Sequence, residues 1–310
     1  MNTKLALVFP GQGSQSVGML GDLATVYPLV QDTFAIASEV LGYDLWRLAQ
    51  HGPEAELNLT HKTQPLMLAA GVALWRVWQY RSARLPNVMA GHSLGEYTAL
   101  VCAGALDFAD AVELVALRGQ YMQEAVPADA GAMAAVLGLD NDKVSELCAD
   151  AAQGEVVAAV NFNSPGQVVV AGHINAVTRV LERARETGAK RAVLLPVSVP
   201  SHCALMKPAA ERLAHRLQQT PLKELRIAVL NNVDVAFYTD PASIRDGLAR
   251  QLYNPVRWSE IIQRMAAQDI GTLIECGPGK VLAGLNKRNA ATMKALSLCD
   301  VAGLEQALAA

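Results

Sequence analysis

The chain has 310 residues, of which 52% are apolar and 18% are charged, where about 25% charged is usual for a domain. This composition supplies a large buried core and excludes a disordered protein, and the length fits one large domain or two modest ones. The 26 basic and 29 acidic residues give a net charge of −3, and aromatic residues make up 5%, so a dedicated nucleic-acid-binding protein is not expected.

Predicted strands and helices alternate in the first part of the chain, which is typical of an α/β fold. The apolar run Lys4–Phe9 predicts a short buried strand that ends at Pro10. Hydrophobic periodicity then predicts helices at 27–41, 62–82, 94–103 and 108–124 and a strand at 87–90. These elements would belong to one α/β core.

The order of predicted elements changes between Pro127 and residue 199. Strands are predicted at 133–139, 156–161, 167–171 and 192–199, with helices at 142–152 and 176–187. This βαββαβ order is the split ferredoxin-like unit. After Pro200 the α/β pattern resumes, with helices at 205–218, 243–252, 258–267 and 280–288 and strands at 226–230 and 272–275. We therefore predict a core formed by residues 1–126 and 200–310, with residues 127–199 inserted as a small subdomain.

The five cysteines, at positions 102, 148, 203, 276 and 299, are scattered and form no CxxC pair. No histidine spacing completes a zinc site, so no metal is expected. An odd number of scattered thiols is typical of the reducing cytoplasm. The apolar run at residues 5–9 is too short for a signal peptide, and no segment reaches 18 uncharged apolar residues, so no membrane span is expected.

A GxSxG motif, Gly91-His92-Ser93-Leu94-Gly95, lies between a predicted strand and a predicted helix. This is the context of a nucleophile elbow, in which a tight turn lifts the serine clear of the sheet. The N–H groups at the start of the helix would then face the atom that the serine attacks. We therefore predict that Ser93 is a nucleophile, against the alternative of an incidental turn rich in glycine and serine.

A serine nucleophile needs a general base, and six histidines are available. Four of them are expected to pack or to be solvated: His51, His61, His92 and His215. His173 and His202 each follow a predicted strand, which is where open α/β sheets place their sites. Position in the sequence favours His202 and leaves His173 open. An ordinary α/β hydrolase has its histidine last in the chain, whereas no histidine follows His215, so a lipase-type esterase fits poorly.

Two further features stand out. The turn Gly11-Gln12-Gly13 follows the first strand, but the next glycine is Gly18, so the GxGxxG dinucleotide fingerprint is absent and no such cofactor is expected. The N–H groups of this loop could instead supply half of an oxyanion hole.

Arg118 lies on or beside an apolar helical stripe, and a buried arginine needs an anion. The residues alone favour an internal carboxylate such as Glu124 as that anion. The alternative is a substrate carboxylate that the guanidinium binds through two hydrogen bonds.

Across nearly its whole length, the chain resembles the malonyl-CoA:acyl-carrier-protein transacylases of bacterial type II fatty-acid synthesis. The matching segments occur in the family's order: FPGQGSQ at 9–15, GHSLGE at 91–96, the region of Arg118, NFNSPGQ at 161–167, VPSH at 199–202, QLYNP at 251–255 and ECGPG at 275–279. This combination is far more specific than one GxSxG motif. The resemblance implies a hydrolase-like α/β core with a parallel sheet and an inserted ferredoxin-like subdomain.

The resemblance also implies a role for each of these residues, and it decides between the two candidate histidines. It implies that Ser93 is acylated and that His202 is the base, which sets His173 aside. The family has no triad carboxylate, and its histidine is oriented by a main-chain carbonyl, which maps here to Gln251.

The same resemblance implies an oxyanion hole formed by the N–H groups of Gln12 and Leu94. It implies that Arg118 binds the free carboxylate of a malonyl group, which reverses the preference for an internal carboxylate. Leucine at position 94 is also the residue type associated with malonyl-selective members. The chain departs from the family pattern at none of these positions.

The implied activity is a ping-pong transfer of malonyl from malonyl-CoA to the phosphopantetheine thiol of acyl carrier protein, through a malonyl-serine intermediate. Both half-reactions exchange a thioester for an oxygen ester, so no cofactor is expected. The expected enzyme is a cytoplasmic monomer that binds neither nucleic acid nor membranes. A polyketide-pathway transacylase would use the same site. A serine thioesterase fits less well, because of Arg118, and a binding module would leave Ser93, His202 and Arg118 unexplained.

Acyl carrier proteins are acidic, whereas this chain is itself net negative, so docking is expected to depend on local basic residues. Four candidates stand near the ends of predicted elements: Lys190, Arg191, Lys287 and Arg288. The alternative for these residues is ordinary solvated charge.

Overall fold

A computed structural model describes residues 4–127, 129–197 and 199–310. Within these ranges the strands are β1 (Lys4–Phe9), β2 (Val88–Gly91), β3 (Gly131–Leu137), β4 (Val157–Ser164), β5 (Gln167–His173), β6 (Arg191–Leu194), β7 (Ala228–Leu230), β8 (Ile270–Glu275) and β9 (Lys294–Ser297). The helices are α1 (Gly21–Val26), α2 (Leu29–Leu41), α3 (Leu45–His51), α4 (Glu54–Leu57), α5 (Thr60–Arg81), α6 (Gly95–Cys102), α7 (Phe108–Glu124), α8 (Asn141–Ala152), α9 (Ile174–Glu186), α10 (Lys207–Gln219), α11 (Pro241–Gln251), α12 (Trp258–Ala266), α13 (Val281–Asn289) and α14 (Val301–Leu308), with a 3-10 turn at Ala204–Met206.

A parallel sheet with the strand order β7-β2-β1-β8-β9 forms the larger part of the molecule. Its central strand β1 is apolar on both faces because each face packs against helices. Leu5 and Leu7 belong to one apolar core with α5, and Val8 belongs to a second core with α12. Phe9 of β1 lies opposite Gly91 of β2 in the register, so the loops that follow these two strands leave the sheet side by side.

An antiparallel sheet with the order β4-β5-β3-β6 forms the second part. Helices α8 and α9 cover one of its faces, and the core between them consists of small and β-branched apolar side chains, including Val136, Val144 and Val180. The α9 helix is strongly amphipathic and turns its apolar face to this core, as the period of 3.6 residues requires. The order of elements from β3 to β6 is βαββαβ.

The predicted mixed α/β architecture, with a parallel sheet and a separate antiparallel sheet, is confirmed. The boundaries of the two domains, at residues 127 and 199, stay a prediction. Five elements were not predicted: α1, α3, α4, β9 and α14. All are eight residues or shorter, so each spans at most about two turns of helix or one edge strand, too little for a hydrophobic period to develop.

The predicted strand at 192–199 was too long. Strand β6 ends at Leu194, while Ser198 lies outside the described residues. The apolar run that follows Leu194 does not continue the sheet; instead Leu195 and Val197 line the cavities described below. Among the helices of the described ranges, none combines the length and the apolarity that crossing a membrane requires.

Candidate active site

Ser93 occupies the sharp turn between β2 and α6, with a φ of +52° that non-glycine residues rarely adopt. A Cβ atom on Gly91 would lie 1.8 Å from the carbonyl carbon of Gly95, and a Cβ atom on Gly95 would lie 2.0 Å from the carbonyl oxygen of Phe9. The backbone therefore passes so close to both glycines of the motif that no side chain fits at either position. The turn has the geometry of a nucleophile elbow.

The imidazole of His202 lies next to the hydroxyl of Ser93, with 2.7 Å between Nε2 and Oγ. On its other side, Nδ1 is 2.8 Å from the main-chain oxygen of Gln251. A carbonyl oxygen can only accept, so Nδ1 carries the proton and Nε2 is free to accept the one on Ser93. The backbone N–H of His202 donates to the oxygen of Leu252, which ties the histidine loop to the end of α11.

Burial keeps this imidazole neutral. His202 is 3% exposed, and its pKa is lowered to about 3, chiefly by burial and then by the positive charge of Arg118. The hydrogen bond to Gln251 opposes these effects without reversing them. A neutral imidazole whose free nitrogen faces a serine hydroxyl can act as a general base.

Gln12 and Leu94, whose backbone N–H groups are the candidates for an oxyanion hole, both belong to segments next to Ser93. A Cβ atom on Gly11 would lie 2.6 Å from the carbonyl oxygen of His92, so the loop carrying Gln12 runs directly against the elbow. Leu94 follows Ser93 at the start of α6. Neither the N–H of Gln12 nor that of Leu94 donates a hydrogen bond to any residue in the part of the chain that the structure describes.

Arg118 reaches the same point from α7 and is fully buried. Its Nη1 donates to Oε1 of Gln64 at 2.8 Å, and its Nη2 donates to Oε1 of Gln251 at 2.9 Å. The same Nη2 lies 3.4 Å from Oγ of Ser93. The guanidinium also stands over the ring of Tyr97, 5.3 Å from its centroid.

The internal carboxylate expected from the residues alone is not a partner of Arg118. Glu124 is exposed and pairs with Arg212 at 2.6 Å. Within the described residues, no carboxylate forms a salt bridge with Arg118, and burial lowers the pKa of its guanidinium against the raising effects of Tyr97 and Glu96. A buried guanidinium beside a nucleophile, held by neutral groups and not by a carboxylate, is suited to bind an anionic group of a ligand.

Several residues of the site were not predicted from the sequence: Gln64, Glu96 and Asn232. The Asn232 side chain clamps the elbow, because its Oδ1 accepts from the N–H of Ser93 and its Nδ2 donates to the oxygen of Gly91, both at 2.7 Å. Gln64 is a buried amide inside the apolar helix α5. The sequence signal that could have identified these residues is a polar residue within or just after an apolar run. Such a residue is expected to be buried, and a buried polar group needs a hydrogen-bond partner.

The remaining histidines lie elsewhere. His173 belongs to the antiparallel sheet, where its Nδ1 accepts from the backbone N–H of Val156 at 2.9 Å. His51 and His215 are exposed. His61 was expected to be solvated, but it lies in α5 and its Nδ1 is 2.7 Å from Oε1 of Gln123.

His92 joins the two parts of the molecule. Its Nε2 is 2.8 Å from Oδ1 of Asn163 on β4, and its ring packs on Trp258 with 5.5 Å between centroids. These contacts turn the ring of His92 toward β4 and α12, and they fix the elbow loop against the antiparallel sheet.

A cavity of about 110 Å³ reaches Ser93 and His202 between the two sheets. Its walls come from the elbow and from Met133, Asn161 and Leu195 of the antiparallel region. A larger cavity of about 760 Å³ shares Gln12, Thr60, Leu195 and Val197 with it. The nucleophile therefore lies at the base of a cleft between the parallel and antiparallel sheets. Within the described residues, no cluster of three or more His, Cys, Asp or Glu side chains could hold a metal ion.

The four basic residues considered for docking are exposed, and three of them gather at one end of the antiparallel sheet. Arg191 pairs with Leu137, Leu137 pairs with Gln167, and Nη1 of Arg288 donates to Oε1 of Gln167 at 3.0 Å. The larger cavity is lined instead by Gly131 and Leu194, at the opposite end of the same strands. These basic residues therefore lie away from the walls of the cleft.

Comparison with known proteins identifies the relatives of this chain. Residues 6–307 match a family described as an acyl transferase domain. The chain is 58% identical to the malonyl CoA-acyl carrier protein transacylase of Salmonella typhimurium over 306 residues, which is 99% of each chain.

Solved structures agree with this result. A crystal structure of an acyl carrier protein S-malonyltransferase from Vibrio cholerae matches with a TM-score of 0.96 at 60% identity, covering 98% of this chain and 100% of that one. A malonyl-transacylase in complex with a type II PKS acyl-carrier protein matches with a TM-score of 0.98 at 56% identity, covering 99% of both chains.

Proposed function

The chain belongs to the acyl transferase domain family, and we propose on that premise that it transfers malonyl from malonyl-CoA to the thiol of acyl carrier protein. One observation carries the choice of acyl group. The buried guanidinium of Arg118 donates to the amide oxygens of Gln64 and Gln251 and lies 3.4 Å from Oγ of Ser93, and no carboxylate of the described residues forms a salt bridge with it. Malonyl is a short acyl group that ends in a carboxylate, so its charge would meet this guanidinium while its thioester carbon faces Ser93.

The first half-reaction uses the groups around Ser93. His202 Nε2 accepts the hydroxyl proton as Oγ attacks the thioester carbon, and the N–H groups of Gln12 and Leu94 donate to the oxyanion. Loss of one such donor costs about 3–4 kcal/mol of transition-state stabilisation in a comparable hole. The C–S bond then breaks, the CoA thiolate takes the proton from His202, and a malonyl-serine ester remains.

The second half-reaction reverses these steps with a different thiol. His202 accepts the proton of the phosphopantetheine thiol, and the sulfur attacks the ester carbon within the same oxyanion hole. The C–O bond breaks, Oγ of Ser93 recovers the proton, and malonyl leaves on the carrier protein. Each step balances without an added metal, nucleotide or redox group, so we propose that the enzyme needs no cofactor.

We also propose a compartment and an oligomeric state for the enzyme. The five cysteines are all free thiols, which supports a reducing cytoplasm as the compartment. Ser93, His202 and Arg118 meet within one chain, and we propose that the monomer is the working unit. Nucleic acid and membranes have no part in the proposed reaction.

The test separates transfer from hydrolysis. The protein is incubated with malonyl-CoA, with and without acyl carrier protein bearing phosphopantetheine, and CoA, malonate and protein masses are measured. We expect one malonyl adduct per chain without carrier protein, and malonyl-carrier protein when the carrier is added. Continuous release of malonate with no adduct would contradict the proposal and indicate a thioesterase. Carrier proteins of fatty-acid and polyketide synthesis, compared in parallel, would show which pathway the enzyme serves.

A further inference from the structure

Glu96 is a fully buried carboxylate in the first turn of α6, three residues after Ser93. It takes no part in the steps described above. Its Oε2 accepts from Nε2 of Gln251 at 2.7 Å and from the N–H of Asn232 at 3.2 Å, and its Oε1 accepts from the hydroxyl of Tyr238. Burying a carboxylate costs several kcal/mol, so a buried carboxylate outside the chemistry requires an explanation.

The side chain of Gln251 connects this carboxylate to the site. Its Nε2 donates to Glu96 and to the main-chain oxygen of Ser93, while its Oε1 accepts from Nη2 of Arg118 at 2.9 Å. Rotating the amide by 180° would set an NH₂ against the guanidinium and an oxygen against the carboxylate. A carboxylate and a main-chain oxygen can only accept and a guanidinium can only donate, so Glu96 acts together with Ser93 and Arg118 to fix which way the amide points, and it makes the shortest of these three contacts.

Gln251 therefore makes two contacts with the reacting groups. Its main-chain oxygen accepts from Nδ1 of His202 at 2.8 Å, and its side-chain oxygen accepts from Arg118. The amide also separates Arg118 from the nearest buried negative charge. A direct ion pair would occupy the donors that a substrate carboxylate needs, whereas an interposed amide compensates the charge and leaves the guanidinium open to a ligand.

We propose that Glu96 is a positioning residue of the transfer reaction: by fixing the amide of Gln251, it holds Arg118 in place for the malonyl carboxylate. This inference rests on the proposed function. Burial raises the pKa of Glu96 to about 7, while its three hydrogen bonds and the charge of Arg118 oppose this rise and favour the ionised form that accepts from Gln251.

The test measures kcat/KM for loading from malonyl-CoA and from acetyl-CoA, together with Tm, in Glu96→Ala and Glu96→Gln. Glu96→Ala removes the acceptor of Gln251, so we expect the preference for malonyl over acetyl to fall about 10- to 100-fold, the size of one hydrogen bond to a charged group. Glu96→Gln can still accept from Gln251, so it should keep the preference within a few-fold. Equal losses with both acyl groups in Glu96→Ala, or the same preference as the wild type, would overturn the inference.

Glu275 provides a matched control. It is also a fully buried carboxylate whose pKa burial raises to about 7, but its Oε2 accepts from the N–H of Ala283 in α13, away from the site. Glu275→Ala should lower Tm and leave the malonyl preference unchanged. A loss of preference in this control as large as in Glu96→Ala would show that any buried carboxylate produces the effect, and would refute a specific role for Glu96.

Two further variants test the connection through Gln251. Gln251→Ala keeps the main-chain oxygen, so adding Glu96→Ala to it should cause no further loss of preference, whereas additive losses would overturn the inference.

The exchange Glu96→Gln with Gln251→Glu keeps both groups and the net charge, but it sets a carboxylate directly against Arg118. We expect this exchange to lower malonyl loading far more than acetyl loading, even if Glu96→Ala does not fold; retained malonyl preference would contradict the inference.

The two proposals fail in different ways. A wild-type enzyme that forms no malonyl adduct would refute the proposed function. A wild-type enzyme that loads malonyl, with Glu96 variants of unchanged preference, would refute only the role of Glu96.

Discussion

In both sheets, polar residues lie at the ends of strands or in the loops that follow them. The parallel sheet brings the ends of neighbouring strands together at one edge. Neighbouring parallel strands finish at the same edge, so the loops after β1 and β2 place Gln12 and Ser93 side by side. In the antiparallel sheet, β3 ends at Leu137 opposite Gln167, where β5 begins. The imidazole of His173, at the end of β5, accepts instead from the N–H of Val156, immediately before β4. Parallel strands thus bring the residues that follow them together directly, whereas His202 reaches Ser93 through the loop that follows β6 of the antiparallel sheet.

The two regions also differ in what they bury. The core of the antiparallel region is formed by valine, alanine and leucine side chains, together with Cys148. Its ion pairs, such as Arg183 with Asp150, lie at the surface. Beside the parallel sheet, an arginine, a glutamate and two glutamines are fully buried within hydrogen-bond distance of one another. Burial of that kind costs free energy, so it indicates where a ligand or a reaction is accommodated.

The most severe test of this comparison is Ser93→Ala. This variant lacks the hydroxyl at the elbow, so we expect it to form no malonyl adduct. Intact mass measured after incubation with malonyl-CoA checks this expectation. Ser164→Ala is the matched control, because Ser164 is also buried but ends a strand of the antiparallel sheet. The control should give one adduct, like the wild type. An adduct that persists in Ser93→Ala would place the nucleophile elsewhere.

Replacing each of the two histidines that the residues alone left open gives the next largest effect. His202→Ala removes the group 2.7 Å from Oγ of Ser93, so transfer should fall about 10²- to 10⁴-fold, the usual contribution of a general base. His173→Ala should change transfer less than twofold. Steady-state rates measured on variants with wild-type circular dichroism check both expectations. Equal losses, or a loss at His173 alone, would contradict the assignment of the base.

What could be predicted from the sequence is local. The GxSxG motif between a strand and a helix predicted the elbow, because the close approaches that exclude a side chain at Gly91 and Gly95 lie within a few residues of Ser93 or on the adjacent strand. Predicted helices and strands agreed with the structure wherever a hydrophobic period ran for ten residues or more, as in α5 and α7.

What could not be predicted depends on contacts between distant residues. Spacing left His173 and His202 both open, because nothing in the sequence signals the proximity of Ser93 and His202, which are 109 positions apart. The partners of Arg118 are Gln64 and Gln251, 54 and 133 residues away, whereas the sequence alone favoured the nearby Glu124. Composition and periodicity do not encode such pairs, and the resemblance to a family identified some of them without their geometry.

Arg118 tests whether the buried polar cluster selects the acyl group. Arg118→Ala removes the buried cation, so kcat/KM for malonyl-CoA should fall by orders of magnitude while the preference shifts toward acetyl-CoA. Arg118→Lys keeps the charge but loses the planar pair of donors, so it should retain part of the malonyl activity. Both ratios are measured on variants whose Tm shows that they are folded. If both substrates lose activity together and the ratio stays fixed, Arg118 is a structural residue and malonate loses its strongest support as the substrate.

The smallest expected effect concerns docking of the carrier protein on the antiparallel region. Lys190, Arg191, Lys287 and Arg288 are exposed and lie away from the walls of the cleft, so their contribution is electrostatic attraction rather than contact with the acyl group. Reversing these charges should raise KM for acyl carrier protein by up to about tenfold, most strongly at low salt, and leave loading from malonyl-CoA intact.

Lys143 and Arg183 provide the matched control for that charge reversal. They lie on α8 and α9 of the same region, where they pair with Glu146 and Asp150 at the surface. Reversal there changes the net charge as much as reversal of Arg191 and Arg288 alone, which is the pair to compare with it, but leaves the end of the sheet near Gln167 untouched. Equal increases of KM in both sets would show a general charge effect. A fall in malonyl-CoA loading in the first set would show instead that those residues serve the phosphates of CoA, and an unchanged KM would show that they are ordinary solvated charges.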